Sequence, residues 1–508
     1  MWSPETSNGS ESLKIKWDLV PYTRGTGLDL GCGPVKPFPH FIGVDNNIDA
    51  KLFGAEAIAR QLTSSCERLP IFANESMDFV FSSHLLEHIS DYRSALKEWW
   101  RVLKTGGHLC LYLPHKDFYP NIGKPGSNLD HKHDFLPADI VDAMRQVGSW
   151  DLLVNEDRNE VDEYSFFQVY RKSVEGQRES WLKPKAEKTC AVIRYGAYGD
   201  LLQTASVLPG LKEHGYRITF FCTPRGYEAV SNDPNIDEFV VQDEEQVPNH
   251  ELGEFFVHLE KRYSKVVNMC ETVEGIALPS AHRAHFHWPH EARHAMCNVN
   301  YVHLQHRIAG VPYRGVEGKF YPTKEESEWA QEQKRRAGGS MIAWALSGSA
   351  AHKVWPHVDA VLARIISETE ATVVFLGGHQ EQVLDAGWRH PRIWPRMGQL
   401  TIRQSMALAQ VADVVVGPET GILNAVAAEP MKKVLLLSHS SIENLSRDWV
   451  NTDSMEPQGT PCYPCHRLHL EGWKHCNRHP EGTATCQVNI APDRVFSSIL
   501  AGIQNKAA

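Results

Sequence analysis

No run of about 18 apolar residues, the length a membrane-crossing helix needs, occurs in this chain. The start, MWSPETSNGSESLKIKW, has no basic region followed by an apolar one, so no secretory leader is expected and the expected compartment is the cytoplasm. Cysteine is sparse, at 11 in 508 residues with four near the end. That excludes a disulfide framework for the whole chain and fits a reducing environment. An excess of positive charge is also missing. The formal net charge of −10 repels polyanions on average, which makes nucleic acid a minority partner that only a local basic groove would admit. No internal repeat, low-complexity tract or sustained heptad is present, and no oligomeric state follows.

What is there is the composition of an ordinary globular enzyme: 42% apolar residues, 22% charged residues and 36 glycines. One hydrophobic core does not serve a chain of this length, and units of about 100 to 200 residues predict three of them. Three stretches alternate strand-like and helix-like periodicity, the pattern of parallel sheets with helices on both faces. Polar joints separate them. One is VEGQRESWLKPKAEK, from Val174 to Lys188; the other lies between Pro322 and Ser340, where KEESEWAQEQKRRA predicts a charged helix ended by Gly338 and Gly339. The expected division is a first domain over 1–175, a linker over 176–188, one lobe over 189–330, and a second lobe over 331–508 with a cysteine-rich end.

In the first domain, GLDLGCGPVKPFPHFIGVD reads as strand, glycine turn, short connection and second strand. Gly31 and Gly33 allow a sharp turn and close approach of a ligand, and Asp45 can accept both hydroxyls of a ribose. This run resembles motif I and the following acidic position of class I S-adenosylmethionine-dependent methyltransferases. The resemblance continues through ESMDFVFSSHLLEHI, through SALKEWWRVLKTGG as a helix with a glycine stop, and through HLCLYLP as the fifth strand. WDLLV and SFFQVYRK would form the antiparallel edge pair of that family. Leu85, Ile89, Tyr92, Leu96, Trp99 and Leu103 recur at helical steps and are expected in the core. By the resemblance, Asp29, Gly31, Gly33 and Asp45 would hold S-adenosylmethionine. Two features depart from the family: Pro34, Pro37 and Pro39 shorten or remove the usual first helix, and Ser65 stands where an adenine-binding Asp is common. Methyl transfer is largely positioning, so no obligatory motif reveals the acceptor. His115, His131, His133 and Asp134 follow the fifth strand, where acceptors commonly sit; one of them is a base, or all are loop residues.

The second stretch opens TCAVIRYGAYGDLLQTASVLPGLKEHG, a buried strand, a glycine loop and a helix with Asp200 at their junction. A carboxylate there is stabilised by the helix N-terminus and is also an ordinary cap. The third stretch contains MIAWALSGSAAHKVWPHVDAVLARI, in which Ser347, Gly348, Ser349 and Lys353 precede a helix expected near Pro356. Hydroxyls, free amides and a lysine suit a diphosphate. Further on, VADVVVGPETGILNAVAAEP runs a buried strand into Glu419, Thr420 and Gly421. Together these parts resemble the heptosyltransferase family of lipopolysaccharide biosynthesis, with its GT-B fold of two facing Rossmann-like lobes, over about Thr189 to Ile503. The resemblance implies Asp200 as general base. It implies Lys353 with the Ser347 and Ser349 loop on the donor diphosphate, and Glu419, Thr420, Gly421 and Asn424 on the donor side. Glu419 and Asn424 replace the family's usual Asp and His, which puts heptose itself in question.

Cys462, Cys465, Cys476 and Cys486 could bind one structural zinc, pair as disulfides or stay free thiols; relatives in this glycosyltransferase group often carry a similar end. His282, His285, His287, His290 and His294 have no carboxylate or thiol at convincing spacing and read as a polar loop. Trp329 and Trp344 read as packing residues. The fold class expected is α/β: one class I methyltransferase (Rossmann-like) domain, then two Rossmann-like GT-B lobes. The expected function is inverting sugar transfer from a nucleotide sugar to a hydroxyl of a glycan or glycolipid precursor, fused to S-adenosylmethionine-dependent methylation. The alternatives are methylation alone with the lobes as a glycan-binding module, glycosyl transfer with a non-catalytic methyltransferase-like scaffold, and glycosylation of a DNA base.

Overall fold

The structure, a computed structural model, describes residues 11–46, 62–63, 65–182, 188–243, 246–270, 288–468, 476, 479–480 and 483–504. It divides into two compact units. One comprises Met1–Glu187 with Val240–Arg262, the other Lys188–Phe239 with Tyr263–Ala508. Among the described residues no helix is long and apolar enough to cross a membrane.

The first unit is built on one eight-stranded sheet. Its strands are β1 (Gly27–Leu30), β2 (Ile42–Asp45), β3 (Leu62–Thr63), β4 (Met77–Ser83), β5 (Leu103–Pro114), β6 (Trp150–Arg158), β7 (Ser165–Lys172) and β8 (Gln177–Glu179), in the order β3-β2-β1-β4-β5-β7-β6-β8. β1 to β5 pair in parallel, and β7 lies antiparallel between β5 and β6, as the WDLLV and SFFQVYRK pair requires. All six residues expected in the core belong to its main cluster, Leu85 and Tyr92 at its edge. Only three of the six are helical, however. The helix is Tyr92–Val102, capped by Asp91, which accepts from the Ser94 amide at 3.1 Å. Leu85 and Ile89 flank a short turn, Leu86–His88. Leu103 already opens β5, so the helix ends before the glycines that were expected to stop it. The extended backbone at Leu103 lets Lys104 reach Asp78 at 2.7 Å.

Between β1 and β2 no helix forms, as the three prolines dictate. The connection is pinned instead by Lys36, whose Nζ donates to the Phe41 carbonyl at 2.7 Å. Phe41 packs on Phe79 with ring centroids 4.7 Å apart.

The second unit holds two parallel sheets. The first has β9 (Thr189–Ile193), β10 (Arg217–Cys222), β11 (Glu238–Val241) and β12 (Lys265–Asn268) in the order β11-β10-β9-β12. The second has β13 (Met341–Ala345), β14 (Thr372–Leu376), β15 (Ile393–Pro395), β16 (Val414–Pro418), β17 (Lys432–Leu436) and β18 (Thr452–Met455) in the order β15-β14-β13-β16-β17-β18. β13, β14 and β16 are buried at every residue, which explains their continuous apolar runs: a parallel sheet covered on both faces has no solvent side to alternate toward. The charged helix is Lys324–Ala337, closed by Gly338 at φ 71°, and the helix expected near Pro356 is Val358–Glu368. Trp344 is 1% exposed and packs on Trp355 and Phe375.

A buried ion cluster ties the helix Leu252–Arg262 into the first unit. Asp18 accepts from Arg158 Nη2 at 2.6 Å and lies 3.4 Å from Arg262 Nε and 3.5 Å from His258 Nε2. Burial alone would raise the Asp18 pKa, but the His258 hydrogen bond and the Arg158 and Arg262 charges outweigh it and hold the carboxyl below its usual value. A depressed carboxyl stabilises the fold above its unfolded pKa, near 3.9, and that contribution is lost as pH falls through the folded value. Asp18→Ala should therefore cost about 3–5 kcal/mol at neutral pH in denaturant unfolding, and the difference from wild type should shrink as pH falls below the unfolded carboxyl pKa, near 3.9.

Candidate functional sites

In the first unit the glycine turn follows β1 at the carboxyl end of the sheet, where open α/β folds bind ligands. Gly31 and Gly33 take φ of 72° and 53°, left-handed values that favour glycine. The Gly31 amide donates to the Val44 carbonyl at 2.8 Å and the Gly33 amide to Asp45 Oδ2 at 3.0 Å, so Asp45 locks the turn it stands beside. A Cβ on Gly31 would lie 3.0 Å from Leu85 carbons, whereas one on Gly33 would meet nothing within 4 Å. Asp29 is 1% exposed and its Oδ2 has no hydrogen-bond partner. Burial pushes its pKa up to about 8, with Lys36 opposing and Asp45 adding to the rise. An orphaned buried carboxyl oxygen beside an open glycine fits a ligand that brings a cationic donor. Ser65 is exposed and its Oγ accepts from the Glu67 amide at 3.2 Å.

The four acceptor-loop residues sort themselves by their partners. His115 Nδ1 accepts from the Asp117 amide at 3.0 Å and its ring stacks on Phe118 at 4.1 Å. His133 Nε2 lies 3.0 Å from the Ile89 carbonyl, and Asp134 accepts from the Ile122 amide. These three support the loop. His131 instead approaches Glu87, Nε2 to Oε1 at 3.8 Å. Sequence reasoning passed over Glu87 because LLEHI reads as core; its one signal is a carboxylate flanked by His84 and His88.

In the second unit, Asp200 sits in the first turn of the helix Tyr198–Ala205, its Oδ2 accepting from the Ala197 amide at 2.8 Å. Arg194, 2% exposed at the end of β9, holds its Oδ1 at 3.2 Å. A Cβ on Gly196 would lie 2.8 Å from Asp200 Oδ2, so glycine leaves room for the carboxylate. The same helix meets the helix Gly421–Ala425 of the other sheet. Gln203 Nε2 donates to Asn424 Oδ1 at 3.0 Å, and a Cβ on Gly421 would lie 2.6 Å from that of Tyr198. Asn424, in place of histidine, therefore bridges the two lobes.

The loop after β13 places Lys353 8% exposed, with Nζ donating to the Glu419 carbonyl at 2.7 Å and lying 3.9 Å from Glu419 Oε2. Burial lowers the Lys353 pKa while Glu419 and Asp200 oppose the fall. Gly348 lies against Lys353 and Thr420, Ser347 Oγ donates to Glu381 Oε1 at 2.7 Å, and Ser349 is exposed. Thr420 caps the following helix, accepting from the Leu423 amide at 3.3 Å. The Glu419 carboxylate faces away from open loop space: Oε1 accepts from the amides of Ser438, His439 and Ser440 at 3.0, 3.3 and 3.1 Å, and Oε2 from the Ser438 hydroxyl. Burial would raise its pKa, yet His439, Lys353 and Ser438 outweigh it and hold it well below the usual range.

Cys462, Cys465, Cys476 and Cys486 line one small cavity of about 20 Å³ with His352 and His439. Among the described residues, though, the group of three metal-type ligand atoms lying within 4.8 Å of one another is Glu87, His88 and His131. The sulfurs share a cavity, but no three of them lie within that distance, and no disulfide joins them. His282, His285 and His287 lie outside the described residues; His294 Nε2 is 2.7 Å from the Pro464 carbonyl.

The strand orders, the glycine turn after β1 and the paired parallel sheets define the fold class: an α/β chain with one Rossmann-like domain of methyltransferase type followed by two Rossmann-like lobes of GT-B type. Comparison with known proteins agrees. A methyltransferase domain model matches residues 28–111, and a model of glycosyltransferase family 9 (heptosyltransferase) matches residues 274–443. Asp29, Gly31, Gly33 and Asp45 fall within the first match and Lys353 and Glu419 within the second, while Asp200 precedes it. A curated relative, an uncharacterized protein of Methanocaldococcus jannaschii, is 27% identical over 135 residues, 25% of this chain; the chain spans 64% of that relative's length. Among solved structures, a family 9 glycosyl transferase from Veillonella parvula is 14% identical, covering 63% of this chain and 98% of its own, at TM-score 0.47. ADP-heptose lps heptosyltransferase II from E. coli is 16% identical, covering 63% and 100%, at TM-score 0.45. A candidate S-adenosylmethionine-dependent methyltransferase from Listeria monocytogenes is 14% identical, covering 32% and 99%, at TM-score 0.25.

The raised Asp29 pKa carries a sign opposite to that of Asp18. Folding penalises its ionised form, so the cost is absent below the unfolded pKa, grows as pH rises, and is complete above about 8. Asp29→Asn should stabilise the ligand-free protein, and in thermal melts the gain should widen from pH about 4 to about 8 and then level off.

Proposed function

We propose that the second unit transfers a sugar with inversion from a nucleotide-sugar donor to a hydroxyl of a glycan-type acceptor. We propose also that the first unit methylates a substrate using S-adenosylmethionine. The observation that supports the first reading is the contact of the helix carrying Asp200 with the helix Gly421–Ala425, just after Glu419, whose carbonyl receives Lys353. Asp200 takes the proton of the acceptor hydroxyl as that oxygen bonds to the anomeric carbon. The bond from that carbon to the nucleoside diphosphate breaks on the opposite face. Lys353, with hydrogens beyond the one given to the Glu419 carbonyl, and the amides around Ser347 to Ser349 take up the charge left on the diphosphate. Arg194 keeps the base in place, and Glu419 acts through Lys353.

For the first unit, the orphaned Asp29 oxygen, the open face of Gly33 and Asp45 at the end of β2 fit S-adenosylmethionine. When bound, it supplies a methyl group on a sulfonium, which transfers with little activation. Asp29 would receive the cationic amino group and Asp45 the ribose hydroxyls, while the Gly31–Gly33 turn gives the backbone close approach.

Asp200→Asn should lower the sugar-transfer rate by about 10² to 10⁴ and leave nucleoside diphosphate affinity nearly unchanged, whereas Lys353→Ala should weaken that affinity. Radiolabelled donors of several sugars offered with a mixed glycan acceptor pool read both effects. An Asp200→Asn enzyme as fast as wild type would refute the assigned base.

A further inference from the structure

Among the described residues of the first unit, Glu87 stands out as a buried carboxylate, 0% exposed, with neither oxygen hydrogen-bonded, although buried polar groups are almost always bonded. Three imidazoles surround it instead. His84 Nδ1, His88 Nε2 and His131 Nε2 lie 3.9, 3.9 and 3.8 Å from Glu87 Oε1. Those distances are too long for hydrogen bonds and too regular around one oxygen to be ignored.

We propose that Glu87, His88 and His131 form a binding site for one divalent transition-metal ion. Their ligand atoms all lie within 4.8 Å of one another. Ligands bound to one tetrahedral ion at 2.0–2.1 Å stand roughly 3.4 Å apart, so shifts of at most about 0.7 Å per ligand close the triad. Two imidazoles with one carboxylate select zinc, iron(II), cobalt or nickel over calcium or magnesium, and three protein ligands leave a position open.

The triad is also held ready. The Glu87 carbonyl accepts from the amides of Lys132 and His133 at 2.7 and 3.2 Å, which clamps the loop carrying His131 onto the turn carrying Glu87 and His88. The His88 and His131 rings meet edge to face at 4.8 Å, and Tyr119 lies against His131 at 5.3 Å. His84 is fixed from behind by Ser165 Oγ at 2.9 Å on Nε2. With its side chain 29% exposed, His88 gives an ion a way in from solvent. The site stands just beyond β4, where Leu85 touches Gly31, but metal binding there does not require that the domain transfer methyl groups.

Cobalt(II) titration of the chelator-treated full-length protein tests this, because thiolate-bound cobalt shows an intense near-ultraviolet charge-transfer band and cobalt bound by nitrogen and oxygen alone does not. The expected result is one equivalent with weak visible bands and no thiolate band, retained in Cys465→Ser and displaced by zinc. That equivalent should be lost in Glu87→Gln and His131→Ala, and also in His88→Gln, whose partly exposed position makes misfolding an inadequate explanation. Circular dichroism and melting curves check that each variant is folded. The proposal is overturned if folded His88→Gln and Glu87→Gln bind as many equivalents as wild type, or if every bound cobalt carries the thiolate band and disappears in Cys465→Ser.

Discussion

The carboxylate of Glu419 is the fixed point of the second unit. Three consecutive amides, a serine hydroxyl and His439 converge on it, and they join the end of β16 to the loop after β17. A buried anion with that many donors stays ionised, and only an ionised Glu419 justifies a buried Lys353 beside it. Lys353 in turn shapes the loop after β13, since Gly348 rests against its side chain. The loops at the carboxyl ends of β13 and β16 are thus one electrostatic assembly. The glutamate side chain is long enough to reach past its own loop to the amides of Ser438 to Ser440.

Asn424 has a comparable role across the lobes. It receives Gln203 and donates to the Thr420 carbonyl at 2.8 Å, a bridging use of an amide that can donate and accept at once. The two residues that depart from the resemblance, Glu419 and Asn424, therefore each hold neighbouring loops or helices together, while the proposed chemistry rests on Asp200, Lys353 and the serine loop.

Much of this was legible in the sequence because parallel strands announce themselves. VVVGP and TVVFL are almost wholly apolar and buried throughout, since both faces are covered, and the three prolines between Gly33 and Asp45 declared the missing helix. The end of the Tyr92–Val102 helix was misplaced because Leu103 serves the same core from a strand that it would have served from a helix. Contacts between distant residues were beyond reach. Nothing local distinguishes a Glu419 facing donor from one facing residues 438–440, and nothing joins Glu87 to His131 until β5 and its loop bring them together. Nor did periodicity place 240–262, whose helix carries His258 and Arg262 to Asp18.

Calorimetry of the full-length protein against S-adenosylmethionine and a panel of nucleoside diphosphates tests most directly the claim that the chain carries two separate transferase sites. The account predicts two independent saturable events, the first lost in Asp45→Ala and the second in Lys353→Ala, each variant leaving the other intact. No binding of any nucleoside diphosphate would contradict the glycosyltransferase reading. Nucleotide binding without S-adenosylmethionine binding would reduce the first unit to a scaffold.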